Sequence, residues 1–504
     1  MHIEILDTTL RDGEQTSGVS FAVQEKLSLV RLLIEELRVD RVEVASARVS
    51  EGEFEAVKRI AAWASLHEVL DKIEILGFLD KGVSVDWIQK TGCKVINLLT
   101  KGSLKHVTEQ LRKTPEQHLR DIIEEISICK KAGLDVNLYL EDWSNGMIHS
   151  REYVFFLMDG LKDQPVNHFM LPDTLGILDP YQTYDFCHKM VKRYRGLQFD
   201  FHAHNDYDLA VGNVLSAIRA GVSGVHTTVN GLGERAGNAP LSSVVAVIHD
   251  QLKLKTNIRE DKLIQVSKIV ESYSGIRIPA NKPVIGDNVF TQTAGIHADG
   301  DSKNNLYFND LLPERFGRTR EYALGKTSGK ASIKKNLEAL GIELDDESMR
   351  LITDRIIQLG DKKELVTQED LPYIISDVLK QTGGAQPVKV LNYSLGLAHG
   401  LRPVATVMLE IDGTSYQESA PGDGQYDAFM KAVQKIYFSR NKQLPSLTNY
   451  AVTIPPGGRT DAFVQTVITW SNKDKTFRTT GLDADQTEAA IKATIKMLNI
   501  LEEK

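Results

Sequence analysis

The sequence predicts an α/β protein: an eight-fold β/α barrel (a TIM barrel), followed by small linker subdomains and an α+β C-terminal domain built from repeated ββα units. Three observations predict it. Over the first half, eight short apolar runs alternate with longer amphipathic ones, the two periods that mark strands and helices. Eight such pairs within about 250 residues are what a closed barrel requires. Past residue 275 that rhythm stops, and near residue 386 a different order of short strands and helices begins.

Strands are expected to start at Ile3, Arg41, Ile73, Val95, Val136, His168, Phe199 and Val225. Helical periodicity covers 22–37, 53–64, 115–132, 152–161, 180–194, 209–220 and 241–251. An open doubly wound sheet would want a glycine-rich first turn, and Arg11-Asp12-Gly13-Glu14 is not one. The domains are therefore set at 1–275 (barrel), 276–385 (linker subdomains) and 386–504 (C-terminal domain). Ile278-Pro279-Ala280-Asn281-Lys282-Pro283 reads as the exit linker, and Gln381-Thr382-Gly383-Gly384-Ala385-Gln386-Pro387 as the last boundary. In the third domain, strands from Val388, Ala405, Tyr450 and Val464, with helices at 428–440 and 487–498, give strand, strand, helix twice over. Two such units suit a dimeric ligand-binding module.

At 504 residues the chain exceeds one compact core. Apolar residues at 42% and charged residues at 25% are those of an ordinary globular protein. A net charge of −8, with no long Lys/Arg run, excludes nucleic acid as a default partner. No apolar stretch approaches membrane-spanning length. Cys93, Cys129 and Cys187 stand singly, so buried thiols in a reducing, cytoplasmic setting are expected.

The most informative stretch is Phe199-Asp200-Phe201-His202-Ala203-His204-Asn205-Asp206. Residues two apart on a strand share a face, so His202 and His204 can point at one metal ion. Strand one ends at Arg11 and Asp12, strand five at Tyr139-Leu140-Glu141-Asp142, and strand six at Pro172-Asp173-Thr174. The loop from Asn230 to Pro240 can bring Asn238 over the same barrel mouth. Asp12, His202, His204 and Asn238 would supply two oxygen and two nitrogen ligands, a set open to zinc, manganese or magnesium. The loop lacks the Lys-Ser/Thr ending of a phosphate cradle.

Three segments carry a resemblance: Leu10-Arg11-Asp12-Gly13-Glu14-Gln15, His202-Ala203-His204-Asn205-Asp206, and Asn230-Gly231-Leu232-Gly233-Glu234-Arg235-Ala236-Gly237-Asn238. With them the chain resembles the α-isopropylmalate, homocitrate and citramalate synthase family over essentially its whole length. Ser46-Ala47-Arg48-Val49-Ser50, Asn97 to Ser103 and Tyr139 to Gly146 are most similar to the citramalate-forming branch. The resemblance implies a metal-dependent acyltransferase that condenses acetyl-CoA with a 2-oxo acid. Pyruvate is the oxo acid it favours, with 2-oxoisovalerate, the isopropylmalate reaction, as the alternative.

By the same resemblance Arg11 would hold the developing alkoxide and Thr174 the carboxylate, while Glu141 would deprotonate the acetyl methyl. Leu76, Leu99 and Tyr139 would wall the substrate pocket. His297, with Asp299, Asn305, Leu306 and Tyr307, would meet the acyl-CoA, from a linker serving the partner subunit of a homodimer. Tyr426, Asp427, Tyr450, Ile454, Val464 and Gln486 would bind a feedback amino acid, isoleucine or leucine, although Ala484 stands where that pattern carries proline. Each position has a plainer reading beside it. Arg11 would pair with Asp12 or Glu14, Glu141 would orient an imidazole, Thr174 would cap a turn, and His297 would bond locally. A hydroxymethylglutaryl-CoA-lyase-like enzyme would account only for the barrel, and a silent amino-acid sensor would leave the Arg11, Asp12 and histidine set without use.

Overall fold

The computed structural model describes residues 2–303, 306–361, 366, 368, 371, 374–375, 387–453, 464–472, 475–483 and 485–502. Two compact units emerge, Met1–Phe290 with Asn309–Thr319, and Thr291–Phe308 with Arg320–Lys504.

Eight parallel strands close the barrel in chain order: β1 (Glu4–Asp7), β2 (Arg41–Ser46), β3 (Ile73–Phe78), β4 (Val95–Lys101), β5 (Asp135–Glu141), β6 (His168–Asp173), β7 (Gln198–Ala203) and β8 (Gly224–Thr227). All begin within one residue of the expected positions. Several helices start where a side chain satisfies a backbone N–H of the first turn. In α1 (Val23–Arg31) the Glu25 carboxylate accepts from Ala22 N, and for α2 (Glu51–Leu66) Ser50 Oγ accepts from Glu53 N. Three more helices follow in order: α3 (Val83–Thr91), α4 (Pro115–Lys131) and α5 (Trp143–His149). Thr114 and Gln117 form a reciprocal cap on α4, with Pro115 in its first turn. Then come α6 (Arg151–Leu161), α7 (Pro180–Arg193), α8 (Ala210–Arg219), α9 (Leu241–Asp250) and α10 (Leu263–Ser274).

Helices α3, α5 and α10 were not foreseen. The first is nine residues bracketed by left-handed Gly82 and Gly92, and α5 is seven, too short for a 3.6-residue period to declare itself. One apolar core fills the space between strands and helices, including Val284, Ile285 and Phe290 beyond the last barrel helix. Cys93, Cys129 and Cys187 are buried free thiols, as expected.

The second unit begins with β9 (Thr291–Gln292), α11 (Gly295–Ser302), β10 (Glu321–Tyr322), α12 (Lys330–Leu340) and α13 (Asp346–Asp361). Leu324, Ile333, Leu337, Ile352 and Ile356 form a small core of their own. The expected boundary at 381–387 lies outside the described residues except Pro387. Beyond it each repeat has three strands, not two: β11 (Val388–Gly396), β12 (Val404–Ile411), β13 (Thr414–Pro421) and α14 (Gln425–Ser439), then β14 (Ser446–Thr453), β15 (Val464–Ser471), β16 (Thr476–Asp483) and α15 (Gln486–Glu502). The ββα reading is thus corrected to βββα. Strand β13 escaped because its side chains are mostly exposed and polar, leaving no apolar alternation, although Asp412-Gly413, both at positive φ, marks its hairpin. Both repeats bury one common core, in which Val388 exchanges two hydrogen bonds with the side chain of Asn499. Among the described residues no helix is long and apolar enough to cross a membrane.

Candidate active site

Strand alternation turns His202 and His204 to one face, and Asp12 joins them from the turn beyond β1, which ends at Asp7 rather than at Arg11 and Asp12 as expected. One potential ligand atom from each lies within 4.8 Å of the others. Asp12 Oδ2 faces His202 Nε2 at 3.2 Å and His204 Nε2 at 4.0 Å. The fourth expected ligand, Asn238, is joined to His204 by a backbone bridge, and its Oδ1 is buried without a hydrogen-bond partner among the described residues. Asp12 Oδ1 is similarly orphaned. Buried polar atoms are nearly always paired, so this donor set, carboxylate, amide oxygen and two imidazoles, fits a divalent cation. Gly233 makes room for Asn238, since a Cβ there would lie 2.6 Å from Asn238 Nδ2. Arg235 clasps this loop to its neighbours through two bonds to Asp206 and one to the Thr174 carbonyl.

Arg11 stands beside the cluster, with Nη1 3.3 Å from Asp12 Oδ2, Nε on Glu43, and Nη2 donating to Tyr139 Oη at 3.3 Å. Of its plainer pairings, Asp12 holds and Glu14 does not, because Glu14 is ion-paired with buried Lys26. Lys26 also reaches Glu53 and the Leu10 carbonyl, fixing the turn that aims Arg11 and Asp12. Burial works against both charges of the Arg11–Asp12 pair. Glu43 and Asp12 nevertheless keep the guanidinium well above its ordinary range, and Arg11 and His202 keep the carboxyl well below its own. Burial and the neighbouring His202 bring His204 down to about 3, so it is a neutral imidazole with a free lone pair. A cavity of about 320 Å³ opens beside Arg11, lined also by Gln15, Ser46, Ser50 and Glu53 but not by Asp12 or the two histidines.

Leu76, Leu99 and Tyr139 meet in one apolar cluster with Leu6 and Met170. Glu141 is ion-paired with Lys101, not set against an imidazole. Thr174 Oγ1 accepts from Asp142 N at 2.9 Å, which leaves its O–H free to donate.

Sequence reasoning missed the polar chain inside the barrel. Arg11 bonds Glu43, Asn97 donates to both Glu43 and Glu74, and Arg41 joins Glu74 to Asp200. His226 then lies 3.4 Å from Asp200 and 3.0 Å from Tyr139 Oη, which returns to Arg11. Burial holds His226 down to about 3, and Arg41 and His168 overcome burial to keep Asp200 well below the carboxylate range. The signal was present: several of them are polar residues set between two apolar neighbours in a strand, as in Val42-Glu43-Val44, Ile73-Glu74-Ile75, Ile96-Asn97-Leu98 and Phe199-Asp200-Phe201.

The remaining candidates lie in the second unit. His297 packs on Tyr307 with ring centroids 4.3 Å apart, Asp299 pairs with Lys303, and Leu306 is exposed. Asn305 and Ile454 fall outside the described residues, as does Ala484. Tyr426 and Tyr450 face each other at 5.5 Å, and Tyr426 Oη bonds Thr494 Oγ1 at 2.7 Å. Asp427 turns instead to Lys431, Val464 opens β15, and Gln486 is exposed at the start of α15.

Three family matches cover the chain in succession: HMGL-like at residues 2–270, the homocitrate synthase post-HMGL domain-like family at 284–364, and the LeuA allosteric (dimerisation) domain at 365–502. A putative (R)-citramalate synthase CimA of Archaeoglobus fulgidus is 33% identical over 504 residues, 99% of this chain and 100% of its own. A putative (R)-citramalate synthase CimA of Methanopyrus kandleri is 35% identical over 86% of this chain and 83% of its own. A 2-isopropylmalate synthase of Methanocaldococcus jannaschii is 33% identical over 99% and 94%.

Proposed function

The chain belongs to the HMGL-like family of citramalate and 2-isopropylmalate synthases, and from that premise we propose that it condenses acetyl-CoA with pyruvate to give citramalate and CoA, in the cytoplasm. The observation that carries this reading is Arg11 standing beside the Asp12–His202–His204 cluster at the barrel mouth.

Asp12, His202, His204 and Asn238 would hold the divalent ion, whose contribution would be Lewis-acid polarisation of the oxo acid's carbonyl. Arg11, permanently charged and fork-shaped, donates to the oxygen on which negative charge develops. Thr174 donates its free O–H to the substrate carboxylate. Glu141 takes a proton from the acetyl methyl, and the new carbon–carbon bond forms at the carbonyl carbon as its C=O π bond opens to an alkoxide. That alkoxide takes up a proton to become the hydroxyl, while Glu141 gives its own back. Water then cleaves the thioester, releasing CoA and a proton and making the sequence irreversible. His297, with Asp299, Asn305, Leu306 and Tyr307, is assigned to acyl-CoA recognition.

Bulk at Leu76, Leu99 and Tyr139 supports pyruvate, because a methyl group needs less of that space than an isopropyl. The C-terminal domain is assigned to homodimer formation and to feedback by isoleucine, bound among Tyr426, Asp427, Tyr450, Ile454, Val464 and Gln486. The test is CoA release from metal-loaded protein given acetyl-CoA with pyruvate, 2-oxobutyrate or 2-oxoisovalerate. Preference for pyruvate supports the assignment. Preference for 2-oxoisovalerate replaces it with isopropylmalate synthesis, and no release with any of them sinks it.

A further inference from the structure

Of the two histidines in the cluster, His202 is the one whose far nitrogen is engaged. Its Nδ1 lies 3.3 Å from Nδ1 of His226, with the two rings crossed at 76°. His226 is fully inside the barrel, and its other nitrogen, Nε2, lies 3.4 Å from Asp200 Oδ2. Asp200 is itself immobilised: Arg41 Nη2 donates to Oδ2, and His168 Nδ1 lies 3.1 Å from Oδ1. The space for this carboxylate is built in at Gly224, where a Cβ would come within 2.2 Å of Asp200 Oδ1. Four elements of the barrel wall therefore converge on the orientation of one imidazole.

The chemistry of the chain has one consistent direction. Asp200 is an acceptor only, so the proton of neutral His226 sits on Nε2 and its Nδ1 is left as an acceptor. That nitrogen takes the Nδ1–H of His202, sharing its lone pair with the hydroxyl of Tyr139 3.0 Å away. That leaves Nε2 of His202, which faces Asp12 at 3.2 Å, as the nitrogen a cation would take in place of the proton it otherwise shares with the Asp12 carboxylate. We infer that His226, backed by Asp200, is a positioning residue that fixes the tautomer and ring angle of His202 for cation binding. It lengthens by one imidazole the familiar pairing of a ligating histidine with a carboxylate. The inference rests on the metal reading given above. Because Tyr139 also bonds Arg11, the same device sets the spacing between the cation and the guanidinium.

The test reads Mn²⁺ binding to the full-length protein by calorimetry and by the paramagnetic signal of free Mn²⁺, without turnover. His226→Ala and His226→Leu remove the acceptor, the second keeping most of the volume; His226→Gln keeps an acceptor toward His202 and a donor toward Asp200. The expected result is a 10- to 100-fold loss of affinity in the Ala and Leu variants, the range typical of such supporting groups, with Gln within about threefold of the parent. Thermal melts identify any variant that fails to fold, and either acceptor-less variant suffices for the contrast with Gln. Parent-like affinity in the Ala or Leu variant overturns the inference, as does a Gln variant no better than they are. Asp12→Ala separates the two levels. If it abolishes binding while His226→Ala does not, the metal reading stands and only the positioning inference falls; if the parent binds no Mn²⁺, both fall.

Discussion

Lys101 and Glu141 are register partners at the ends of adjacent parallel strands β4 and β5, and their side chains close into an ion pair at the barrel mouth. The ammonium restrains the carboxylate that is assigned as base, so the two act as a unit. Glu141→Gln is expected to lower kcat by 10²- to 10⁴-fold, the usual contribution of a general base, with KM for pyruvate little changed. Lys101→Met, which frees the carboxylate without removing it, is expected to cost less. Steady-state CoA release for both variants checks the order, and equal activity of Glu141→Gln and parent would remove Glu141 from the chemistry.

Leu76 packs with Leu99 and Tyr139 inside the barrel, where a few methylenes decide the space available. Leu76→Ala is expected to raise kcat/KM for 2-oxoisovalerate relative to pyruvate by 10-fold or more, in line with the small free energy carried by each methylene. Truncating so buried a leucine also destabilises the fold by about 2–5 kcal/mol. Competition assays and urea unfolding measure the two effects separately.

Chelation is expected to abolish CoA release and lower Tm. A cation held by Asp12, His202, His204 and Asn238 stabilises the folded state by about 2.7 kcal/mol at a hundredfold excess over Kd. Melts with and without chelator, on the parent and on Asp12→Asn, test this. An unchanged Tm in the parent speaks against the site.

His118 lies apart from that cluster, buried on α4, with Nε2 accepting from Lys101 N at 3.1 Å. Burial first, then nearby Lys113, brings it from 6.5 down to about 4. Between those values the unfolded chain holds the extra proton, so stability is complete above about pH 6.5 and is lost as pH falls toward 4. The loss reaches about 2 kcal/mol by pH 5. His118→Gln, which still accepts but does not titrate, should show a smaller drop between pH 7 and pH 5 in urea unfolding.

Tyr426 faces Tyr450 and bonds Thr494 in the C-terminal domain. Isoleucine is expected to inhibit the parent at concentrations where leucine does not. Tyr426→Leu should shift the isoleucine dose dependence upward at least tenfold. Inhibition curves with each amino acid decide this, and an unshifted curve would remove Tyr426 from the effector site.

The sequence by itself determined the barrel and its histidine pair, because both are written in short-range pattern. Strand starts follow from apolar runs of four to seven residues, and His202 and His204 share a face simply by being two apart. Apolar residues at 76, 99 and 139 were legible on the same terms, once a family pattern singled them out. The third strand of each C-terminal repeat was not, since β13 is polar and mostly exposed and β16 buries threonines rather than apolar side chains, so neither leaves an apolar period in the sequence. Only the tertiary structure decided which charges meet. Arg41 and Asp200 are 159 residues apart and Arg11 and Tyr139 are 128 apart, and closing the sheet turns these isolated polar residues inward onto one another. Burial then enforces the pairing, because a charge inside the barrel persists only where another strand supplies its partner.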